Sequence, residues 1–124
     1  MRMHRDIDYR TFAHGAGKVV NYRANDIIFR ENDPPQFMYI VLSGSVDIVS
    51  GDEVIETVHE GQALGIVSLI DNQLRVSTAR ARGNCELAAM DRRSFRYMVE
   101  EVPNFVWYVM NELTHRLRIV SAPH

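Results

Sequence analysis

The segment Gly61–Ala81 reads GQALGIVSLIDNQLRVSTARA. Gly61 closes a turn, and Gly65 opens a single apolar helical turn, Ile66 to Ile70. A polar loop follows, and Arg75 stands at the mouth of a new run of strand formers. A short helix that starts after a glycine presents unpaired backbone N–H groups and a partial positive charge, which suits an anion. An arginine a few residues on adds a charge-assisted, two-pronged contact to the same anion. The segment therefore predicts a place to capture a phosphate. It also divides the chain: short strands precede it, and one further strand and then helices follow it.

Working back from Gly61, strand signals come at turn spacing. Residues 18–22 and 26–30 are rich in strand formers and are separated by Ala24-Asn25-Asp26. Asn25 and Asn32 are residues that tolerate a left-handed backbone where glycine is absent. Residues 37–42 and 45–49 flank Ser43-Gly44, and Gly51-Asp52 gives a hairpin signal before 54–58. Beyond the segment, 76–81 and 85–90 lie around Gly83-Asn84. Short strands at such spacing predict an all-β sandwich or barrel rather than a parallel sheet with helices.

The last third reads as helix. Asp91 is a plausible N-cap ahead of Phe95, Met98, Val99 and Val102 at helical spacing. Pro103 suits the first turn of a second helix. That helix is expected to carry Val106, Val109, Met110, Leu113, Leu117 and Val120 on one stripe. Its other face would then hold Asn111, Glu112, His115, Arg116 and Arg118. The stripe can cover the β core or pair with a second copy of itself. Near the amino terminus, Tyr9, Phe12 and Ala13 could form a short helix.

Bulk properties narrow the function. A chain of 124 residues, 46% hydrophobic and with net charge −2, reads as one globular domain without a basic footprint for nucleic acid. No apolar run is long enough for a membrane span, and no secretory signal opens the chain, so a cytoplasmic location is the default expectation. Cys85 is the single cysteine; an internal disulfide and cysteine-only metal or iron–sulfur sites are excluded. The five histidines lie far apart, without the His-x-His pair that metal-dependent jelly-roll enzymes need. No paired carboxylates or nucleophile–base set emerges, so the chain is not expected to be an enzyme.

The order of these pieces resembles the cyclic nucleotide-binding domain family, the sensor half of catabolite-activator-type regulators. The likeness is carried by residues 26–33 (DIIFREND), 38–46 (MYIVLSGSV), 60–65 (EGQALG), 68–71 (SLID), 75–78 (RVST) and 87–92 (LAAMDR). It implies a mainly β double-stranded β-helix, or jelly roll, over about 17–90, with flanking N- and C-terminal helices, the latter at about 91–120. One domain would span 1–124. It also implies a phosphate-binding cassette made by Gly65, Ile66, Val67, Ser68, Arg75, Val76 and Ser77. Arg75 takes the position of the arginine that meets the cyclic phosphate. Ile66 stands where the family has a glutamate for the ribose 2′-hydroxyl, Leu74 replaces a common proline, and Val76 replaces a small or hydroxyl residue. A hydrogen bond to a charged acceptor contributes roughly 1.5–3 kcal/mol, so losing it weakens binding about ten- to a hundredfold.

Two functions of different class follow. The first is a free-standing sensor that binds cAMP, cGMP or another small phosphorylated anion, needs no cofactor, and signals to a partner or a second subunit. Family members that act on DNA continue into a winged helix-turn-helix, and this chain ends at His124, so no DNA reader is expected. The second is an interaction or homodimerisation domain that kept the fold and filled its cavity with Leu64, Ile66 and Leu74. The distinguishing feature is whether Arg75 points into an open cavity beside free backbone amides.

Overall fold

The computed structural model describes residue 12 and residues 17–121, with side chains through 118. Eight strands, β1 (Lys18–Tyr22), β2 (Ile27–Phe29), β3 (Phe37–Ser43), β4 (Val46–Ser50), β5 (Glu53–Val58), β6 (Ala63–Leu64), β7 (Thr78–Ala81) and β8 (Cys85–Asp91), form two antiparallel four-stranded sheets. The strand orders are β1-β8-β3-β6 and β2-β7-β4-β5. The turn spacing predicts such an all-β, two-sheet arrangement, and the resemblance implies this jelly roll. β6 escaped the sequence reading because two residues carry no period. The turns use the anticipated left-handed asparagines, Asn25 at φ 71° and Asn32 at φ 75°.

Alternation along the first sheet separates two cores. Tyr39, Val41, Leu64, Leu87 and Ala89 face Val46, Ile48, Val58, Ala79 and Ala81 of the second sheet. Met38, Ile40, Ala63, Ala88 and Met90 face the other way, toward the helices. Cys85 is buried in the inter-sheet core.

Three helices with described bounds lie on that side: α1 (Ile66–Asp71), α2 (Arg92–Glu101) and α3 (Phe105–Ser121). Asp91 does cap α2, accepting from the Ser94 N–H at 2.8 Å. Pro103 lies in the turn before α3 rather than in its first turn, and Asn104 at φ 71° makes the corner. Phe12 is helical and buried edge-on to Phe105, with ring centroids 5.1 Å apart. Tyr9, Ala13 and the side chain of Val120 lie outside the described residues.

α3 is rotated from the expected orientation. Phe105, Tyr108, Val109 and Glu112 are buried against the roll, while Val106, Met110 and Leu117 are exposed. The reason is polar. Residues of β6 present N–H and C=O groups outward, because β6 is the last strand of its sheet. Glu112 accepts from the Ala63 N–H at 2.7 Å, and Arg116 donates to the Ala63 carbonyl at 2.6 Å. Tyr108 donates to the Gly61 carbonyl at 2.8 Å. Three side chains at i, i+4 and i+8 thus take the place of a missing neighbouring strand. Glu112 and Arg116, expected on the solvent face, are the contacts that dock the helix.

Candidate functional site

Arg75 is held by four hydrogen bonds and one ring contact. Its backbone N–H donates to the Asp33 carbonyl at 2.9 Å, and its own carbonyl accepts from Asn32 at 2.8 Å. Its side chain turns inward and is 4% exposed. Nη1 donates to the Gly65 carbonyl at 3.0 Å, Nη2 donates to the Phe37 carbonyl, and the guanidinium carbon lies 4.1 Å from the centre of the Phe29 ring. Nε is buried without a partner. Among the described residues no carboxylate makes an ion pair with it. Burial pushes the Arg75 guanidinium down, against the pull of Tyr39 and Asp33.

The guanidinium borders a cavity of about 280 Å³ lined by Ile28, Phe29, Asp33, Pro34, Gln36, Phe37, Tyr39 and Arg75. Its wall mixes the rings of Phe29, Phe37 and Tyr39 with the polar Asp33 and Gln36, and burial drives the Tyr39 phenol up to about 12, so it stays a neutral hydrogen-bonding group. Gly65 at φ 81° turns the chain from β6 into α1, whose first turn has no side-chain cap. Gly65, Ile66 and Val67 do not line this cavity; Arg75 alone joins it to the cassette. A larger depression of about 390 Å³, with Asn21, Tyr22, Arg23, Ser43, Asn84, Cys85 and Glu86, contains no cassette residue.

The family profile described as "Cyclic nucleotide-binding domain" matches residues 19–102. This chain belongs to the cyclic nucleotide-binding domain family. It is 25% identical over 83 residues to the cGMP-dependent protein kinase of Plasmodium berghei (strain Anka), covering 67% of this chain and 10% of the kinase. The catabolite activator protein of Thermus thermophilus superposes with TM-score 0.78 at 23% identity, over 95% of this chain and 59% of that one. The c-di-GMP-responsive regulator CLP of Xanthomonas campestris gives TM-score 0.76 at 25% identity, over 90% and 58%. This chain thus spans a tenth of the kinase and under two-thirds of each regulator. The catabolite-activator type of roll, with its regulatory role as a class, is established by this match and this fold.

Within that family frame, the cassette residues fall into three environments. Ile66 is 3% exposed and packs, with Leu69, in the helix-side core. Its side chain therefore faces Met98, Phe105 and their neighbours rather than the inter-sheet space. Ser68 is buried, Ser77 half-buried and Val67 exposed. Val76 is 82% exposed. Of the residues expected to fill a ligand-free cavity, Leu64 lies between the sheets, Ile66 faces the helices and Leu74 is exposed. Thr78 accepts from the Glu31 N–H at 3.0 Å and so braces the loop before the cavity. Sequence reasoning missed Phe29, Gln36, Phe37 and Tyr39 beside Arg75. Phe29 comes from β2 of one sheet, Phe37 and Tyr39 from β3 of the other and Gln36 from just before β3, and only the packing of the two sheets brings them there. No grouping of potential metal ligands occurs among the described residues, and no described helix is long and apolar enough to cross a membrane.

Proposed function

We propose that this domain is a regulatory sensor for a small phosphorylated anion of the cyclic nucleotide class. Its ligand is taken up by the cassette of Gly65, Ile66, Val67, Ser68, Arg75, Val76 and Ser77. The observation that carries this reading is the state of Arg75. It is a buried cation whose side chain is bonded to two carbonyl dipoles and faces an aromatic ring, with Nε unpartnered and Asp33 acting on it without forming an ion pair. A charge taken from water without a directly bonded counter-charge costs several kcal/mol. An entering phosphate supplies that counter-charge, and the two carbonyl bonds are the contacts it exchanges. Backbone N–H groups at the start of α1 and at Val76 add neutral donors, as expected for a cassette that reads phosphate mainly through its backbone. Because α1 packs on α3, a ligand that favours one cassette position shifts the position of α3 and whatever it contacts. Isothermal titration calorimetry with cAMP, cGMP and c-di-GMP tests this, at concentrations that reach a dissociation constant near ~0.1 mM. Saturable heat that disappears in Arg75→Ala supports the reading; no heat from any of the three removes it.

A second reading, favoured by the outward stripe of Val106, Met110 and Leu117 on α3, makes the domain an interaction module that docks a second copy or a partner. Sedimentation equilibrium of the wild type beside Met110→Glu decides whether a self-associating surface exists. A monomer in both samples sinks the homodimer.

A further inference from the structure

The larger concavity lies away from Arg75. It encloses about 390 Å³, within the roughly 300–1,000 Å³ of small-molecule sites. Its lining comes from the end of β1, the turn after β3 and the start of β8. β3 measures its distance from the cassette. Phe37, whose carbonyl Arg75 engages, opens that strand and Ser43 closes it, about 20 Å away at ~3.3 Å per residue.

Strand register builds a polar row here. Asn21 pairs with Glu86, and Glu86 pairs on its other side with Ser43, so the three lie side by side across β1, β8 and β3. Arg23 follows the last residue of β1, and Asn84 precedes the first of β8. Two contacts fix the walls. A Cβ on Gly44 would lie 2.5 Å from the Asn84 carbonyl oxygen and 2.7 Å from Cys85 Cβ, so the turn after β3 is pressed against the start of β8. The Ala24 N–H donates to Asn84 Oδ1 at 3.3 Å, which orients that amide and leaves its NH2 group as a donor. Burial raises the Cys85 thiol, so it stays neutral lining.

Two opposite charges line this space without meeting. Among the described residues neither Arg23 nor Glu86 makes an ion pair, although Glu86 is half-buried. A carboxylate drawn partly out of water is stabilised by a cationic partner. Arg23 is two residues beyond Asn21, the strand partner of Glu86, so the two positions stand about 7 Å apart along the strands. We propose that this concavity is a second ligand site, for a free α-amino acid with a polar side chain. Glu86 receives the ammonium group and Arg23 the carboxylate, which a guanidinium matches with two parallel bonds. The amides of Asn21 and Asn84 and the Ser43 hydroxyl then face the ligand's side chain. An α-amino acid carries both charges on one carbon, so it bridges two oppositely charged groups that stand close but apart.

Calorimetry with L-serine, L-threonine, L-asparagine and L-glutamine tests this, at concentrations that reach millimolar dissociation constants. Saturable heat from at least one of them is expected. Its N-acetyl derivative lacks the ammonium charge and its C-terminal amide lacks the carboxylate, and each should bind about ten- to a hundredfold more weakly. Glu86→Gln should shrink the preference over the acetylated form and leave the preference over the amide. Arg23→Gln should do the reverse. Arg23 is exposed, so its variant carries the test alone if circular dichroism shows that Glu86→Gln disturbs folding. Heat from none of the four amino acids, or both preferences unchanged in the variants, overturns the proposal. Neither result bears on the sensor reading, which is tested at Arg75.

Discussion

At the residue scale, the site depends on one glycine and one arginine in contact. Gly65 has φ 81°, a backbone conformation that costs an L-residue roughly 1–2 kcal/mol. A Cβ there would lie 2.8 Å from Nη1 of Arg75 and 3.2 Å from the Phe37 carbonyl oxygen. The first neighbour is the far end of a side chain and can move; the second is backbone and cannot readily do so. Gly65→Ala is therefore expected to displace Arg75 from its carbonyl partners and to lower stability by about 1–3 kcal/mol. Urea unfolding measures that loss. An unchanged midpoint would mean that the turn relaxes into another conformation without cost.

The elements matter through what they bond to. α3 is held to β6 by Tyr108, Glu112 and Arg116, and α2 is tied to the end of α1 by Arg92, whose guanidinium donates to Asn72 Oδ1 at 3.0 Å. The segment that contains the cassette is thus gripped on both sides by helices. Glu112 carries a pH signature. Burial raises its carboxyl above the ordinary 4.5, against the Ala63 N–H, Arg116 and His115, with Glu56 adding to the rise. The folded state holds the proton more tightly than the unfolded chain. The stability linked to this group is therefore full below about pH 4.5 and declines as pH rises through the folded value. Glu112→Gln removes the titration and keeps an acceptor for Ala63. Urea midpoints from pH 4 to 7 should show that the variant lacks this component of the wild-type decline. Parallel profiles would show that Glu112 titrates at its ordinary value.

Over the whole molecule, one sheet serves two cores, one toward its partner sheet and one toward the helices. Phe105 is fully buried where Phe12, Phe95 and Tyr108 meet it, with ring centroids 5.1, 5.7 and 6.3 Å away. Phe105→Ala should cost about 3–5 kcal/mol, and the same core contains Ile66 and Leu69 of α1. The loss should therefore appear both as a lower urea midpoint and as weaker ligand binding. A lower midpoint with unaltered affinity would separate the helix core from the cassette.

The order of strands and turns, the cap at Asp91, the left-handed asparagines and the placement of Gly65 and Arg75 in one segment were legible in the chain. Each rests on local chemistry: side-chain alternation, backbone freedom or a cap within four residues. What surrounds Arg75 was not. Phe29 reaches it from one sheet and Phe37 and Tyr39 from the other, and sequence spacing carries no sign of which strands become neighbours. The orientation of α3 was also beyond reach, and hydrophobicity alone misassigned Glu112 and Arg116 to the solvent face. An edge strand with open N–H and C=O groups outweighed an apolar stripe, because leaving buried backbone groups unpaired costs more than leaving a few methyl groups in water. The chain by itself determined the roll and where Gly65 and Arg75 lie in it; packing decided what that arginine touches and which face of α3 turns to the roll.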